Sequence, residues 1–229
     1  MPKDLQSKIK ITLIVSLVIA IGISFRMSLE NYFYTESNGA ITPPIDAKDE
    51  VDRLIQTASQ NFFYHEFDQA VENYKKAITL FENRKNYKRA ARTYESIGDV
   101  YKFSHNSKEA EKAYLLAVDY HNKLHDKIGA GRAMKMIGDF YMKRSQLDKA
   151  GEWFSKAIAA VQGADPHIAK AKIYETQGHY FIKIEQVSKA LESFQQAKDT
   201  LDQIGYPLGY DNISPMIQKL KQQQKKKST

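Results

Sequence analysis

RTYESIGDVYKFSHNSKEAEKAYLLA, residues 92–117, has a strong helical pattern with a glycine, Gly98, inside it. A glycine within a helix costs about 1 kcal/mol relative to alanine, so its presence needs a reason. The sequence offers one, because small residues recur at forty-residue intervals and a second small residue follows each of them twelve positions later. The first series is Ala58, Gly98, Gly138 and Gly178, and the second is Ala70, Ala110, Ala150 and Ala190.

Aromatic residues and further alanines keep the same interval. Tyr74, Tyr114, Phe154 and Phe194 stand four positions after the second small residue, and an alanine follows each of them three positions later. Such spacings place side chains on one face of a helix, and breaks such as SHNS (104–107) separate two helical runs in each block. A fixed period of this length predicts an all-α array of stacked units. The units are four pairs of antiparallel helices, in residues 51–90, 91–130, 131–170 and 171–210.

The recurring glycines are interpreted as structural. We expect each glycine on a first helix to face the alanines of the second helix, so that the two backbones approach closely and the aromatic rings pack against adjacent units. Burial of a large apolar side chain contributes about 1.5–3 kcal/mol, which outweighs the cost of the glycine. After the four blocks, residues 211–229 are predicted to form a capping helix and a Lys-rich tail, with Ser214 as N-cap and Pro215 in the first turn.

Charge and composition exclude several classes of protein. The chain of 229 residues has a net charge of +7, but residues 211–229 contribute +4 of it, and the large region 51–210 is nearly balanced. A basic surface for nucleic acid is therefore not supported. The chain has no cysteine, which excludes disulfides and thiolate metal sites.

The N-terminal segment has the pattern of a membrane anchor. Residues 11–25 are an uncharged apolar run, and residues 11–27 are predicted as a transmembrane helix or signal anchor. Lys3, Lys8 and Lys10 place residues 1–10 in the cytoplasm by the positive-inside rule, with the rest outside, in the periplasm of a bacterium. Residues 28–50 are interpreted as a linker. The alternative is a cleaved signal peptide and a secreted form, although the cleavage signal is weak.

The motif YESIGDVY (94–101) followed by AEKAYLLA (110–117) resembles the tetratricopeptide repeat (TPR) family, over about 160 residues. The resemblance implies a right-handed superhelix, an α-solenoid, in which the first helix of each unit lines a concave surface that holds peptides or helices. The period departs from the usual TPR length by six residues, and the usual proline that closes the second helix is absent. The forty-residue form also looks like the repeats of soluble NSF attachment proteins, which act in vesicle fusion.

Mapped onto the repeat, the resemblance gives candidate partner-binding residues on the first helices. They are Phe62, Phe63, Arg92, Glu95, Asp99, Lys102, Phe103, Arg132, Lys135, Asp139, Lys143, Lys172, Glu175, His179 and Lys183. The three phenylalanines are candidate apolar anchors. The alternative, at least as well supported, is that they pack against the neighbouring unit.

The sequence offers no catalytic or metal site. His121 and His125 are four residues apart, but zinc needs a third ligand, and a solvated helix end is the favoured interpretation. There is no Gly-rich phosphate loop, no nucleophile elbow and no cysteine nucleophile, so neither an enzyme nor a cofactor is expected.

The function that follows is a membrane-anchored scaffold or adaptor for protein–protein interaction. We expect an assembly or chaperone-like accessory factor on the periplasmic side. The alternative is a trafficking or effector adaptor that resembles the soluble NSF attachment proteins and faces the cytosol.

Overall fold

The computed structural model describes residues 49–206 and 210–227, and it is all-α over that part of the chain. The helices are α1 (Glu50–Phe63), α2 (Phe67–Asn83), α3 (Tyr87–Phe103), α4 (Ser107–Lys123), α5 (Lys127–Lys143), α6 (Leu147–Val161), α7 (Ile168–Lys183), α8 (Val187–Gln203) and α9 (Tyr210–Lys227). None of these nine helices is long and apolar enough to cross a bilayer. The predicted anchor, 11–27, and all but the last two residues of the predicted linker lie outside the described residues.

Each helix packs against the next one along the chain, and α5 also packs against α7. The first helices of the pairs are α1, α3, α5 and α7, and the second helices are α2, α4, α6 and α8. Three of the helix starts repeat one capping scheme, because the side chains of Asn86, Asn106 and Asp126 accept the backbone N–H three residues later. Such caps satisfy N–H groups that have no partner within the helix.

The turns between helices share one geometry at intervals of twenty residues. After α1, the N–H of Glu66 donates to the carbonyl of Asn61 and the N–H of His65 donates to that of Phe62, which is a Schellman motif. The left-handed residue recurs as His65, Lys85, His105, His125, Ser145, Glu185 and Gly205. The turn after α6 is different, since its positive-φ residue is Gly163 and the segment before α7 is longer.

The sequence predicts that each glycine faces the alanines of the second helix, and this prediction is wrong, because the glycines face aromatic rings. A Cβ atom built on Gly138 would lie 2.6 Å from the ring of Phe154, and one on Gly178 would lie 2.8 Å from the ring of Phe194. Gly98 faces the ring of Tyr114 in the same way. Each glycine that recurs at forty-residue spacing therefore leaves space for the aromatic ring of its own unit. The ring, rather than a close backbone crossing, requires the missing side chain.

The core is a row of apolar clusters along the array. The cluster around α2 and α3 contains Tyr74 and Phe81, and the next one contains Tyr114 and Phe154. A third joins Phe194 of α8 to Ile213, Ile217 and Leu220 of α9, so the last helix covers the open end of the array. This helix begins at Tyr210, four residues before the expected N-cap, and Pro215 lies inside it.

Candidate functional site

The C-terminal ends of the first helices lie next to one another along one edge of the array. The rings of Phe62 in α1 and Phe103 in α3 meet edge to face, with centroids 5.3 Å apart. Between α5 and α7, the Nζ atom of Lys183 donates to the carbonyl of Met142 at 3.3 Å. We call this side the first-helix edge. It is formed by the residues at the C-terminal ends of the first helices, which are Phe62, Phe63, Phe103, Lys143 and Lys183.

The aromatic residues at this edge divide into packed and exposed groups. Phe62 is half-buried and packs against the first apolar cluster and against the ring of Phe103, as the packing alternative predicts. Phe63 is 69% exposed, and Phe103 is 55% exposed. Tyr64 beside them is also exposed. Sequence mapping did not select Tyr64, because it lies in the turn just beyond α1.

Charge changes along the edge. The positions equivalent to Phe63 and Phe103 in the third and fourth units are Lys143 and Lys183, and both lysines are exposed. Arg144 adds a further exposed cation next to Lys143. The first-helix edge is thus apolar and aromatic at α1 and α3, and basic at α5 and α7.

Most of the other charged candidates are paired along their own helix. Lys102 bonds to Asp99, Lys135 lies 2.6 Å from Asp139, and Lys172 lies 3.0 Å from Glu175. Asp99 also accepts a hydrogen bond of 2.7 Å from the hydroxyl of Tyr114, and burial together with the Asp99 carboxylate raises the pKa of the tyrosine. The ring of His179 packs against that of Phe194 at 5.0 Å. These pairs fix the shape and charge of the first-helix faces.

Glu95 and Arg132 belong to a buried network instead of an open contact surface. Glu95 is buried, and its carboxylate accepts from Nε and Nη2 of Arg132 at 3.2 and 3.1 Å. The same carboxylate lies 3.1 Å from Nε2 of His121, whose Nδ1 atom lies 3.1 Å from Asp126. The network joins α3, α4 and α5. Arg92, the equivalent of Arg132 one unit earlier, is half-buried.

His121 is fully buried, so the expectation of a solvated helix end was wrong for this residue. Burial alone would lower its pKa, but the hydrogen bonds to Asp126 and Glu95 outweigh it, and the pKa is raised above the ordinary 6.5. The bond from His121 also holds the pKa of the Asp126 carboxyl below its usual range. Because both ring nitrogens lie beside carboxylates, the site favours the imidazolium form of His121, in which both nitrogens donate. His125, by contrast, is exposed in the turn.

The sequence contained a signal for this network. The positions equivalent to His121 hold Phe81, Val161 and Leu201, and all three are buried in the core. A histidine in a column of apolar residues indicates a buried polar site rather than a solvated one. Gly129 makes the room, because a Cβ atom on it would overlap the imidazole of His121.

The array of antiparallel helix pairs defines a helical-repeat protein of the TPR type. Residues 34–165, more than half of the chain, match the model of the family "Soluble NSF attachment protein, SNAP". The chain therefore belongs to the soluble NSF attachment protein family. A search of curated proteins finds no match.

Solved structures share the fold at low sequence identity. The structure of Pseudomonas aeruginosa PilF is 14% identical, with a TM-score of 0.55, and the match covers 77% of this chain and 69% of that one. The apo form of RapI is 13% identical, with a TM-score of 0.63, over 86% of this chain and 54% of RapI. A Rap protein complexed with competence and sporulation factor is 12% identical, with a TM-score of 0.56, over 76% of this chain and 53% of that one. The chain thus spans about half the length of the two Rap structures.

Proposed function

We propose that this protein is an adaptor or scaffold that binds a protein partner along the first-helix edge and the adjoining faces of the first helices. One observation supports this above all: exposed aromatic residues and exposed cations lie in order along a single edge. Aromatic residues and arginine are enriched where proteins bind each other. Membership of the soluble NSF attachment protein family agrees with an adaptor role. A Rap protein of similar fold has been solved in complex with competence and sporulation factor.

The division of the edge suggests the chemistry of the partner. Phe63, Tyr64 and Phe103 would contact apolar side chains, and Lys143, Arg144 and Lys183 would contact acidic ones. The partner is therefore a segment that is hydrophobic at one end and acidic at the other. The paired candidates, such as Lys135 and Asp139, shape the surface beside it. Arg132 and Glu95 contribute to its stability.

We also propose that the four units wind into a right-handed superhelix, with the first helices on its concave side. This is the arrangement implied by the resemblance to TPR proteins. A crystal structure of the full array would test it.

The proposed contact residues can be tested by quantitative cross-linking to partners in cells. Phe63→Ser with Phe103→Ser, and separately Lys143→Glu with Lys183→Glu, change exposed side chains and should leave the fold intact. We expect each pair of substitutions to remove most cross-linked partner relative to the unaltered chain. Lys75→Glu with Lys85→Glu is the matched control, because Lys75 is exposed on α2 and Lys85 lies in a turn at the opposite edge. Equal partner recovery from all variants would reject the proposal.

The placement of the array relative to the membrane is a second proposal. We propose that residues 11–27 anchor the chain and that the repeat region lies outside the cytoplasm, where it acts as an assembly or chaperone-like accessory factor. The uncharged run and the preceding lysines support this. The alternative is a cytosol-facing adaptor of the soluble NSF attachment type, which family membership favours.

A reporter enzyme that is active only outside the cytoplasm, fused after Thr229, separates these two placements. Activity supports the first. An inactive reporter, together with bright fluorescence when a protein that fluoresces in the cytosol is fused at the same position, supports the cytosol-facing placement. Carbonate extraction of membranes then shows whether the chain is anchored or secreted.

A further inference from the structure

The outer face of α4 differs from those of the other second helices. Leu115 and Leu116 are 40% and 43% exposed, although they are neighbouring leucines on a surface helix. At forty-residue spacing, the equivalent positions hold Lys75 and Lys76 in α2, Ser155 and Lys156 in α6, and Gln195 and Gln196 in α8. Only in the second unit, among these four, are the two positions apolar.

The two leucines lie in the middle of a straight row of exposed residues. We call this row, Lys108, Lys112, Leu115, Leu116, Asp119 and Lys123, the α4 stripe. Its spacings of three and four residues keep its members on one side of the helix. The side chain of Lys112 is 56% exposed and lies 2.8 Å from Glu109, and that of Asp119 is 67% exposed and lies 3.7 Å from Lys123, so both charges are accessible although each has a partner on its own helix. A short apolar patch between opposite charges is thus open to contact.

We propose that the α4 stripe binds a second copy of this chain, with the two α4 helices antiparallel and crossing at Leu115 and Leu116. The argument is one of symmetry. Lys112 lies three residues before Leu115, and Asp119 lies three residues after Leu116. A twofold axis that places Leu115 opposite Leu116 of the second copy also places Lys112 opposite Asp119. The central part of the stripe, from Lys112 to Asp119, is therefore complementary to itself, which is what a twofold interface requires.

The arrangement predicts a weak, concentration-dependent dimer. Two leucine side chains from each copy are buried from solvent, and two Lys–Asp pairs form at the rim of the contact. The outermost residues of the stripe, Lys108 and Lys123, would be opposite each other with like charge. Packed surface helices cross at an angle, so these ends diverge, and salt screens them further. An interface centred on one helix from each copy is at the small end of specific contacts.

Disulfide cross-linking tests the arrangement directly, because the chain has no cysteine of its own. Full-length Lys112→Cys and Asp119→Cys proteins are prepared in neutral detergent, one of them with a size tag, then mixed and oxidised with copper phenanthroline in air. In an antiparallel pair the two positions meet across the axis, and we expect the mixed dimer. Each variant alone should cross-link poorly, because position 112 and its own copy are about 10 Å apart along the helix axis, beyond the ~7 Å between Cα atoms that a disulfide allows.

The controls are Lys76→Cys and Lys156→Cys, at positions equivalent to Leu116 in the first and third units. They are exposed and should give no cross-link. Self-linking of Lys112→Cys as efficient as the mixed reaction would overturn the antiparallel arrangement. Equal cross-linking by the controls, or none in any sample, would overturn the proposal as a whole.

Charge reversal gives an independent measurement by sedimentation over a concentration series. Lys112→Asp alone and Asp119→Lys alone place like charges opposite each other, and each should weaken dimerisation at least about tenfold. A mixture of the two restores opposite charges at both contacts and should dimerise. Leu115→Gln with Leu116→Gln should abolish the dimer, whereas Leu124→Gln, at a leucine of similar exposure off the stripe, should not. Failure of the mixture to recover would contradict the pairing.

Discussion

Single glycines set the packing inside three of the four units. Gly98, Gly138 and Gly178 each lie beneath an aromatic ring from the second helix of the same unit. The position could be predicted from the sequence, because the small residue recurs every forty residues. The side chain that packs on the glycine could not be predicted, because the register between the two helices decides whether an alanine or a ring lies opposite it. The sequence contains both at suitable spacing.

Gly138→Ala tests this packing. The added methyl group would lie 2.6 Å from the ring of Phe154. Overpacking costs about 1–3 kcal/mol, and the better helix propensity of alanine recovers up to about 1 kcal/mol of it. We expect a net loss of about 1–2 kcal/mol in the free energy of unfolding by urea. Ser155→Ala, at an exposed position of α6, is the control and should change little.

A double substitution identifies the ring as the cause. Phe154→Leu removes the ring edge that the methyl group meets. The loss from Gly138→Ala should then be smaller in the Phe154→Leu background than in the unaltered protein. Equal losses in both backgrounds would mean that the strain lies elsewhere.

The second residue-scale prediction concerns His121 and pH. Glu95 from α3, and Asp126 and Arg132 at the start of α5, face the imidazole, and its pKa is above the ordinary 6.5. A raised pKa stabilises the fold fully below about pH 6.5, and this contribution is lost as the pH rises through the folded-state value. We therefore expect the stabilisation by His121 to decline on the alkaline side of pH 6.5.

The measurement compares urea unfolding of the unaltered chain and of His121→Leu from pH 5.5 to pH 9. The leucine copies Leu201, which is buried at the equivalent position. The stability difference between the two proteins cancels the titration of groups that do not contact His121. As the pH rises, the free energy of unfolding of the unaltered chain should fall relative to that of the His121→Leu variant. A difference independent of pH would show that His121 has the same pKa in the folded and unfolded chain.

At the scale of the elements, the turns determine where each helix ends. Most of the left-handed turn residues are not glycine, although this backbone conformation costs about 1–2 kcal/mol with a Cβ atom present. The break SHNS (104–107) could be recognised in the sequence as an interruption between helices, and the turns at Ser145 and Glu185 follow it at the same spacing. Their Schellman geometry could not be recognised, because histidine, serine and glutamate give no sign of a positive φ.

Ser145→Gly should stabilise the protein. Ser145 has a φ of 58° and is exposed, so removal of its side chain relieves backbone strain without opening the core. Glycine gives back part of this gain through the entropy of the unfolded chain, and we expect a net gain of about 0.5–1 kcal/mol. Ser145→Ala keeps the Cβ atom and should have little effect. Calorimetry of both variants distinguishes strain from a loss of side-chain contacts.

At the scale of the whole molecule, stability is shared between neighbours, because the main helix contacts in the described residues lie within a unit or between adjacent units. The pairing of helices and the cover at the C-terminal end were both predictable from apolar spacing. The start of α9 was misplaced, since Ser214 and Pro215 form a helix-start signal that the structure does not use. Pattern rules identify a possible N-cap, but packing against α8 decides how far the helix extends.

Ile217→Ala should therefore destabilise one end of the array and leave the other unchanged. Ile217 is buried against α8, and truncation of such a side chain costs about 2–5 kcal/mol. Hydrogen exchange should accelerate in α8 and α9 and stay the same in α2. Gln218→Ala, at an exposed site of the same helix, is the control. Uniform acceleration along the chain would show that the array unfolds as one cooperative body.

The twenty-residue recurrence of the turns limits how this chain can change in length during evolution. Insertion of one residue within a helix rotates everything after it by about 100°, which would turn buried rings outward. Loss or duplication of a whole helix pair, forty codons, restores both the rotation and the turn that joins one pair to the next. Related genes should therefore differ by such multiples, with smaller insertions confined to the irregular segment between α6 and α7.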